Sequence, residues 1–161
     1  MSKSRMKIML IVFFNAQGVV HYEFVPEGQT VNGAFYLEVL RRMKRRVNRV
    51  RPAIARNWKL HHDNAPSHTC SKVTDYLTKN GIAMVPQPPY SPDLAPAEFF
   101  LFPKVKCSLK GHHHRTLSAV KEACTRTLKD LPESAYQGAF VSWQRRWQKC
   151  IDAQGMYFEE F

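Results

Sequence analysis

Two stretches of the sequence decide the fold: residues 61–68, His61-His62-Asp63-Asn64-Ala65-Pro66-Ser67-His68, and residues 90–100, Tyr90-Ser91-Pro92-Asp93-Leu94-Ala95-Pro96-Ala97-Glu98-Phe99-Phe100. Asp63 follows residues 58–60, which are typical of the end of a short buried strand, and a helical pattern begins just after it. Open α/β sheets place ligand sites at the carboxyl ends of their strands. Glu98 lies near the start of a second predicted helix. Asp63 and Glu98 are therefore the candidate site residues.

The surroundings of Glu98 predict that its side chain faces the sheet. Four residues are spaced by 4, 3 and 4 positions and share one helical face: Leu94, Glu98, Leu101 and Val105. A buried carboxylate is costly unless it is protonated, paired or bound to a metal. Two such carboxylates would suit Mg²⁺, which takes oxygen ligands. The simpler alternative is that Asp63 is a turn residue and Glu98 a charge favoured by the helix dipole.

Strand and helix patterns alternate along the first half of the chain. Residues 7–14 are an apolar run typical of a central strand, residues 15–18 predict a hairpin turn, and residues 19–25 predict a second strand. A helix is predicted from about Asn32, with its apolar stripe at Tyr36, Leu40, Met43 and Val47.

The second half reads as two short strands and a series of helices. A strand is predicted over 58–62, a helix after Ser67 that ends at Asn80-Gly81, and a strand over 82–85. Four prolines within residues 86–92 form a stiff connector. Three helices follow. Pro103 kinks or splits the first, and the other two occupy the helical C-terminal part, residues 117–158, where the aromatic stripe of the last helix is interpreted as core.

The helix that begins near Asn32 is strongly basic. Only Glu38 opposes a group of cations on its outer faces and just beyond: Arg41, Arg42, Lys44, Arg45, Arg46, Arg49 and Arg51. Like charges at i,i+4 spacing repel, so a compensating anion is expected. One interpretation is a surface that follows DNA phosphates, and the other is an ordinary solvated helix face.

Composition sets broader limits. The 161 residues carry a formal net charge of +11, which favours a polyanionic partner such as DNA or RNA, although a merely basic protein is the alternative. No apolar run approaches the 18 residues of a membrane span, so none is predicted. Four scattered cysteines without a CxxC pair indicate free thiols and an intracellular location: Cys70, Cys107, Cys124 and Cys150.

Two histidine features invite a chemical interpretation. Adjacent loop histidines rarely converge on one ion, so the triplet at 112–114 is not predicted to bind metal. His68 could position a phosphate or a water, but a structural contact to the nearby loop is the interpretation that we favour.

The amino-acid sequence of the acidic motifs resembles that of the mariner family of transposases. The resemblance covers nearly the whole chain, in residues 62–68, 90–96, 108–111, 143–147, 150–151 and 155–158, and in the earlier segments 18–20 and 28–32. It implies an α/β fold, a ribonuclease-H-like mixed sheet flanked by helices, with C-terminal helices. It also implies an acidic triad in which Asp63 is the second metal-binding acid and Glu98 the third.

The same resemblance implies a set of cofactors and partners. They are Mg²⁺ or Mn²⁺, DNA in the form of transposon ends and target, a homodimer, and a location in the nucleus. Mariners commonly carry Asp at the third acidic position, so Glu98 indicates a related branch of the wider superfamily.

One departure from the family affects the expected activity. The family's first catalytic Asp lies on a strand before the segment that matches residues 7–14, and here no acidic residue precedes Glu23. The resemblance therefore implies a partial domain over residues 1–161 that lacks the first, central strand. We expect two open strand edges, weak stability, a tendency to associate, and no DNA cleavage.

Three hypotheses about function remain open at this point. The first is an enzyme that cuts and joins DNA with two metals held by Asp63 and Glu98. The second is a non-catalytic remnant that binds nucleic acid through its positive charge. The third is a fragment of a fusion between a SET-type histone methyltransferase and a mariner domain. Another metal nuclease of the same fold is a weaker alternative.

Overall fold

The structure is a computed structural model that describes residues 8–110 and 116–153. The chain divides into two compact units. The N-terminal unit comprises residues 8–14 and 19–89, and the C-terminal unit comprises, of the described residues, the turn at 15–18 and residues 90–110 and 116–153.

A β-hairpin opens the described chain. Strands β1 (Leu10–Asn15) and β2 (Gly18–Phe24) form a two-stranded sheet. The Asn15 side chain accepts a hydrogen bond from the Gln17 backbone N–H at 3.0 Å, and Gly18 adopts a φ of 124° that other residues rarely adopt. The predicted strand, turn and strand are confirmed, but in the described residues β1 pairs only with β2 and is half-buried, so the central position predicted for this strand is not.

Helix α1 (Gly33–Val50) follows the hairpin. The Asn32 side chain caps it by accepting a hydrogen bond from the Phe35 backbone N–H at 2.8 Å. Its buried face contains the predicted stripe and one further residue: Tyr36, Val39, Leu40, Met43 and Val47. The start of the helix and its apolar face are therefore confirmed.

Four short elements follow α1: β3 (Lys59–Leu60), α2 (Pro66–Thr69), α3 (Ser71–Lys79) and β4 (Ala83–Met84). A 3-10 turn at Pro52–Ile54 precedes them. Strands β3 and β4 pair in parallel, with Lys59 opposite Ala83 and Leu60 opposite Met84. The helix end predicted at Asn80-Gly81 is confirmed, because Gly81 has a φ of 66° and the Ile82 N–H reaches back to the Leu77 carbonyl at 2.8 Å.

Two predictions for this region need correction. The strand predicted over 58–62 has two residues, because polar side-chain contacts replace the strand pairing after Leu60. The helix predicted after Ser67 is interrupted at Cys70, which is extended with a ψ of 159°. The break places the Cys70 thiol against Gly33, where an added Cβ would lie 2.5 Å from Sγ.

One apolar core holds the N-terminal unit together. The α1 residues Tyr36, Leu40, Met43 and Val47 pack with residues of β2, β3, α3 and the segment before β4: Val20, Leu60, Val73, Leu77 and Ile82. Helix α1 therefore supports both small sheets, and the loop that follows β3 is attached directly to this core.

The C-terminal unit is helical. After a 3-10 turn (Pro92–Leu94), it contains a π-helical turn (Ala97–Leu101), α4 (Phe102–Leu109), α5 (Leu117–Asp130) and α6 (Glu133–Asp152). Three helices are predicted here, and Pro103 does not split the first, because the π-helical turn continues without a break into α4. Pro103 has no N–H to donate, and the Phe102 N–H bonds to the Ala97 carbonyl five residues back.

The C-terminal helices bury less than their sequence stripes suggest. Tyr136 is fully buried, and its hydroxyl donates to the Leu128 carbonyl at 3.1 Å. The other members of the aromatic stripe, Phe140, Trp143 and Trp147, are half-buried, so the interpretation of the stripe as core is confirmed only at Tyr136.

Within residues 8–110 and 116–153 the strands form two separate two-stranded sheets, so β1 and β3 are not paired with each other. None of the helices in these ranges is long and apolar enough to cross a membrane. The four cysteines are free thiols.

Candidate active site

Asp63 lies in the loop between β3 and α2, in the N-terminal unit. Its side chain is 66% exposed. Oδ1 accepts a hydrogen bond from the Ala65 backbone N–H at 3.0 Å and lies 2.7 Å from Nδ1 of His68. The second contact is within ion-pair distance but does not meet the directional requirement of a hydrogen bond. Oδ2 has no partner among the residues that the structure describes, so one carboxylate oxygen is held and the other is open.

Three rings lie beside Asp63. The Tyr36 hydroxyl lies 2.8 Å from Nδ1 of His62, and the His68 ring stacks on Tyr36 with centroids 3.9 Å apart. The His68 ring also stacks on His62, with centroids 4.9 Å apart and an interplanar angle of 18°. Tyr36 and His62 are buried. This arrangement confirms the favoured interpretation of His68 as a contact to the loop.

Burial determines the protonation of this ring cluster. Burial, with a contribution from His68, lowers the pKa of His62 to about 4, so His62 is neutral near pH 7. Burial and the nearby Asp63 raise the pKa of Tyr36, so its O–H is retained. Tyr36 can therefore donate to Nδ1 of His62. That leaves the proton of His62 on Nε2, a buried atom without a hydrogen-bond partner.

The Asp63 loop is also fastened to the proline-rich connector. Nε2 of His61 lies 2.7 Å from the Gln87 side-chain oxygen, and the Asn64 side-chain amide donates to the Gln87 backbone carbonyl at 2.7 Å. Burial lowers the pKa of His61, against smaller effects from Gln87 and Asp63, so its neutral ring can donate to Gln87. The hydrophobic and helical patterns do not predict this role of Gln87. Its position inside the stiff proline-rich connector is the feature of the sequence that could have indicated it.

Glu98 lies in the C-terminal unit, within the π-helical turn. Its side chain is exposed, which contradicts the prediction that it belongs to an apolar stripe facing the sheet. Leu94, Leu101 and Val105 are buried as predicted. The four-residue spacing assumed a regular helix, whereas this segment passes from a 3-10 turn to a π turn, so Glu98 leaves the shared face.

Helix α6 holds the segment that precedes Glu98. The Trp143 indole N–H donates to the Leu94 carbonyl at 2.7 Å. The Arg146 guanidinium donates to the Asp93 carbonyl at 3.2 Å and lies over the Phe99 ring, 4.1 Å from its centroid. The predicted apolar stripe of α6 includes Trp143 but does not reveal this support for the acidic segment, because the stripe carries no information on the indole N–H.

The two acids offer ligands of the right type for a hard divalent cation, since both are exposed carboxylates with an unpartnered oxygen. Their pairing stays a prediction, because Asp63 and Glu98 belong to different units. Within the described parts of the chain, no three His, Cys, Asp or Glu side chains form a group that could hold a metal ion. The triplet at 112–114 lies outside the described residues.

Some cations of the basic helix α1 contact other residues of the fold, and others remain available to a ligand. Arg42 binds both oxygens of Glu23, at 2.9 and 2.8 Å, so Glu38 is not the only opposing acid. Arg41 pairs with Glu38. Three others contact the fold itself: Lys44 the Asn80 side chain, Arg46 the Val20 carbonyl, and Arg51 the Val50 carbonyl.

Two cations of this helix are exposed and have no hydrogen-bond or ion-pair partner among residues 8–110 and 116–153: Arg45 and Arg49. They lie four residues apart, on one helix face. Nearby, Lys44 and Arg56 line a cavity of about 510 Å³ that has no acidic residue in its lining. The available positive charge is therefore concentrated on part of the predicted surface.

Comparison with known sequences gives a consistent result. A family profile described as "Transposase (partial DDE domain)" matches residues 2–57. The Mariner Mos1 transposase of Drosophila mauritiana is 33% identical over 156 residues, which are 95% of this chain and 45% of that protein. The histone-lysine N-methyltransferase SETMAR of Homo sapiens is 30% identical over 95% of this chain and 23% of its own length. The chain thus spans less than half of either relative.

Solved structures agree with the sequence comparison. A structure of the Mos1 transposase catalytic domain and Raltegravir with Mg is similar with a TM-score of 0.87 and 33% identity, over 94% of this chain and 77% of that one. A Mos1 paired-end complex with the left transposon end has a TM-score of 0.86 and 32% identity, over 99% and 48%. The predicted ribonuclease-H-like fold class is confirmed.

Proposed function

The chain belongs to the mariner family of transposases, and from this premise we propose that it is part of a catalytic domain of the kind that cuts and joins DNA. The observation that carries the proposal is the similarity, over 94% of the chain, to a Mos1 catalytic domain whose structure includes Mg. We extend it to the partners and location implied by the family: transposon-end and target DNA, a homodimer, and the nucleus.

Asp63 and Glu98 are the proposed metal-binding and catalytic acids. Asp63 presents one open oxygen because its other oxygen is held by Ala65 and His68. Glu98 is carried outward by the π turn and has no recorded partner in the described residues. When bound, two divalent metals would activate the attacking hydroxyl and stabilise the leaving oxygen.

The 161-residue chain is proposed to supply two acids of a three-acid site. Before Asp63 the sequence contains three acidic residues, Glu23, Glu27 and Glu38. Arg42 and His21 engage Glu23, and Arg41 engages Glu38. We therefore propose that these 161 residues alone do not cleave DNA.

The test uses the purified 161-residue protein with Mg²⁺ or Mn²⁺ and DNA that carries matching transposon ends. We expect no metal-dependent nicking. Nicking that disappears in Asp63→Asn and persists in Asp75→Asn, an exposed acid of α3, would show that another residue completes the site. Glu27 and Asp93 would then be the first residues to replace.

A second candidate function, DNA binding without catalysis, rests on the available arginines. Phosphate contacts release counterions, so affinity falls as salt rises. We expect Arg45→Gln/Arg49→Gln to weaken binding to duplex DNA of any sequence and to reduce the salt slope by about 2. The matched double variant Lys104→Gln/Lys129→Gln removes the same charge from the C-terminal unit.

Arg42 provides an internal comparison, because its guanidinium is already bound to Glu23. Arg42→Gln is expected to reduce the salt slope less than Arg45→Gln. Equal slopes for all these variants and the wild type would leave the solvated-face interpretation of α1 standing. The fusion hypothesis has one supporting observation, the similarity to SETMAR, and no methyltransferase activity is transferred from it.

A further inference from the structure

We propose that His68 is a positioning residue that fixes the orientation of the Asp63 carboxylate and leaves Oδ2 directed toward a bound divalent cation. The inference rests on the metal-binding role proposed above for Asp63. It concerns a side chain that does not itself touch the metal.

Both contacts of the Asp63 carboxylate fall on the same oxygen, Oδ1. The Ala65 N–H and Nδ1 of His68 both reach Oδ1, at 3.0 and 2.7 Å, and neither reaches Oδ2. Two acceptor atoms 2.7 Å apart would repel, so Nδ1 of His68 carries a proton, and this N–H contacts Oδ1 away from the line of a regular hydrogen bond. Held at one oxygen from two directions, the carboxylate loses rotation about its terminal bond.

His68 is itself immobilised. Its side chain is only 18% exposed, and its ring stacks on both Tyr36 and His62, which also contact each other. Tyr36 is 1% exposed, belongs to the core face of α1, and lies within hydrogen-bond distance of His62. A chain of contacts therefore runs from the apolar core through two rings to Oδ1 of Asp63.

The expected size and direction of the effect on metal affinity distinguish orientation from charge. Groups that orient a metal ligand without touching the metal typically change metal affinity by about 10- to 100-fold when they are replaced. Removing a neighbouring positive group would act in the opposite direction and strengthen cation binding. Weaker Mn²⁺ binding after loss of the His68 donor would thus report orientation rather than charge.

The experiment titrates Mn²⁺ into the ¹⁵N-labelled 161-residue protein. Paramagnetic broadening of the Asn64 and Ala65 amide signals gives an apparent Kd at this one site. His68→Phe keeps a ring against Tyr36 but removes the donor, whereas His68→Asn keeps a donor near the position of Nδ1. We expect a roughly tenfold higher Kd for His68→Phe and a Kd within about threefold of wild type for His68→Asn.

Two controls separate this inference from the function on which it rests. His21→Phe removes another histidine that contacts a carboxylate, that of Glu23 at 2.6 Å, and should leave the Kd unchanged. Asp63→Ala should abolish the broadening. If it does not, the metal role of Asp63 fails, and the positioning role fails with it.

If Asp63→Ala abolishes broadening while His68→Phe binds Mn²⁺ like the wild type, the positioning role alone is overturned. Equal weakening in His68→Phe and His68→Asn would also overturn it, because packing rather than the donor would then control the site. Should His68→Phe fail to fold by circular dichroism, His68→Asn decides: a Kd within threefold of wild type supports the donor role, and a tenfold increase opposes it.

Discussion

The Asp63 loop and the Glu98 turn both present an exposed acid, but they are supported differently. Side chains of its own neighbourhood hold the Asp63 loop: His68 contacts the carboxylate, and Gln87 fastens the flanking residues. Main-chain carbonyls hold the segment before Glu98, where Trp143 and Arg146 of a distant helix contact Leu94 and Asp93. A short motif can thus be supported partly by its own side chains and partly by a residue about 25 positions away, or it can depend on residues about 50 positions away.

The largest effect on stability is expected from a substitution where the Glu98 turn packs against the core of its unit. Leu101 is fully buried at the end of the π turn, so Leu101→Ala should lower the free energy of unfolding by about 3 kcal/mol. Urea unfolding followed by circular dichroism measures it. Val141→Ala, at a position of α6 that is 46% exposed, is the control and should change stability by less than about 0.5 kcal/mol. Similar values for the two variants would contradict the burial of this turn.

The next largest effect on stability is expected from a substitution that removes the support of the Glu98 segment by α6. Trp143→Phe keeps an aromatic ring but removes the N–H that reaches the Leu94 carbonyl, which should cost about 1–2 kcal/mol. Hydrogen exchange should become faster at the Leu94 and Glu98 amides, while the Ala65 amide stays as in the wild type. Unchanged exchange at Leu94 would show that this contact does not hold the segment.

The difference between the two regions explains what the sequence could predict. The apolar stripe of α1 obeys helical periodicity, so Tyr36, Leu40, Met43 and Val47 were correctly placed in the core. Asp63 was correctly placed after a strand, because the motif and the strand pattern are contiguous. Both successes concern positions that follow from a pattern that is local in the chain.

The failures concern a change of helix type and long-range contacts. The predicted burial of Glu98 assumed 3.6 residues per turn, and the π turn changed the face on which it lies. The pairing of Arg42 with Glu23 joins residues 19 positions apart on different elements, which periodicity within α1 could not reveal. The Trp143 indole N–H donates to a carbonyl 49 positions away, and such a contact leaves no mark in the hydrophobic pattern.

A smaller effect tests the side-chain support of the Asp63 loop. Gln87→Ala removes the contact with His61 and should destabilise the protein by about 1 kcal/mol. Here hydrogen exchange should become faster at Asn64 and Ala65 and stay unchanged at Leu94, the reverse of the Trp143 result. Gln137→Ala, on the exposed side of α6, is the matched control. Faster exchange at Leu94 and Ala65 alike would remove the distinction between the two kinds of support.

The smallest effect comes from an acid that, unlike Asp63 and Glu98, has both oxygens engaged. Burial alone would raise the pKa of Glu23, but hydrogen bonds and charges from Arg42 and His21 outweigh it and lower the pKa below the usual 4.5. A lowered carboxylate pKa means that the folded protein binds fewer protons than the unfolded chain, so the stabilisation is present above pH 4.5 and is lost as the pH falls through the lower folded value. The pair is partly exposed, so its contribution should stay below about 1 kcal/mol.

Unfolding measured from about pH 6 down to pH 3 should therefore show a steeper loss of stability for the wild type than for Glu23→Gln. Glu27→Gln, at an exposed position, should follow the wild type. Parallel curves for wild type and Glu23→Gln would mean that the Arg42 pair contributes nothing in solution. Arg42 would then be as available to a DNA phosphate as Arg45 and Arg49, and its charge would belong again to the basic surface of α1.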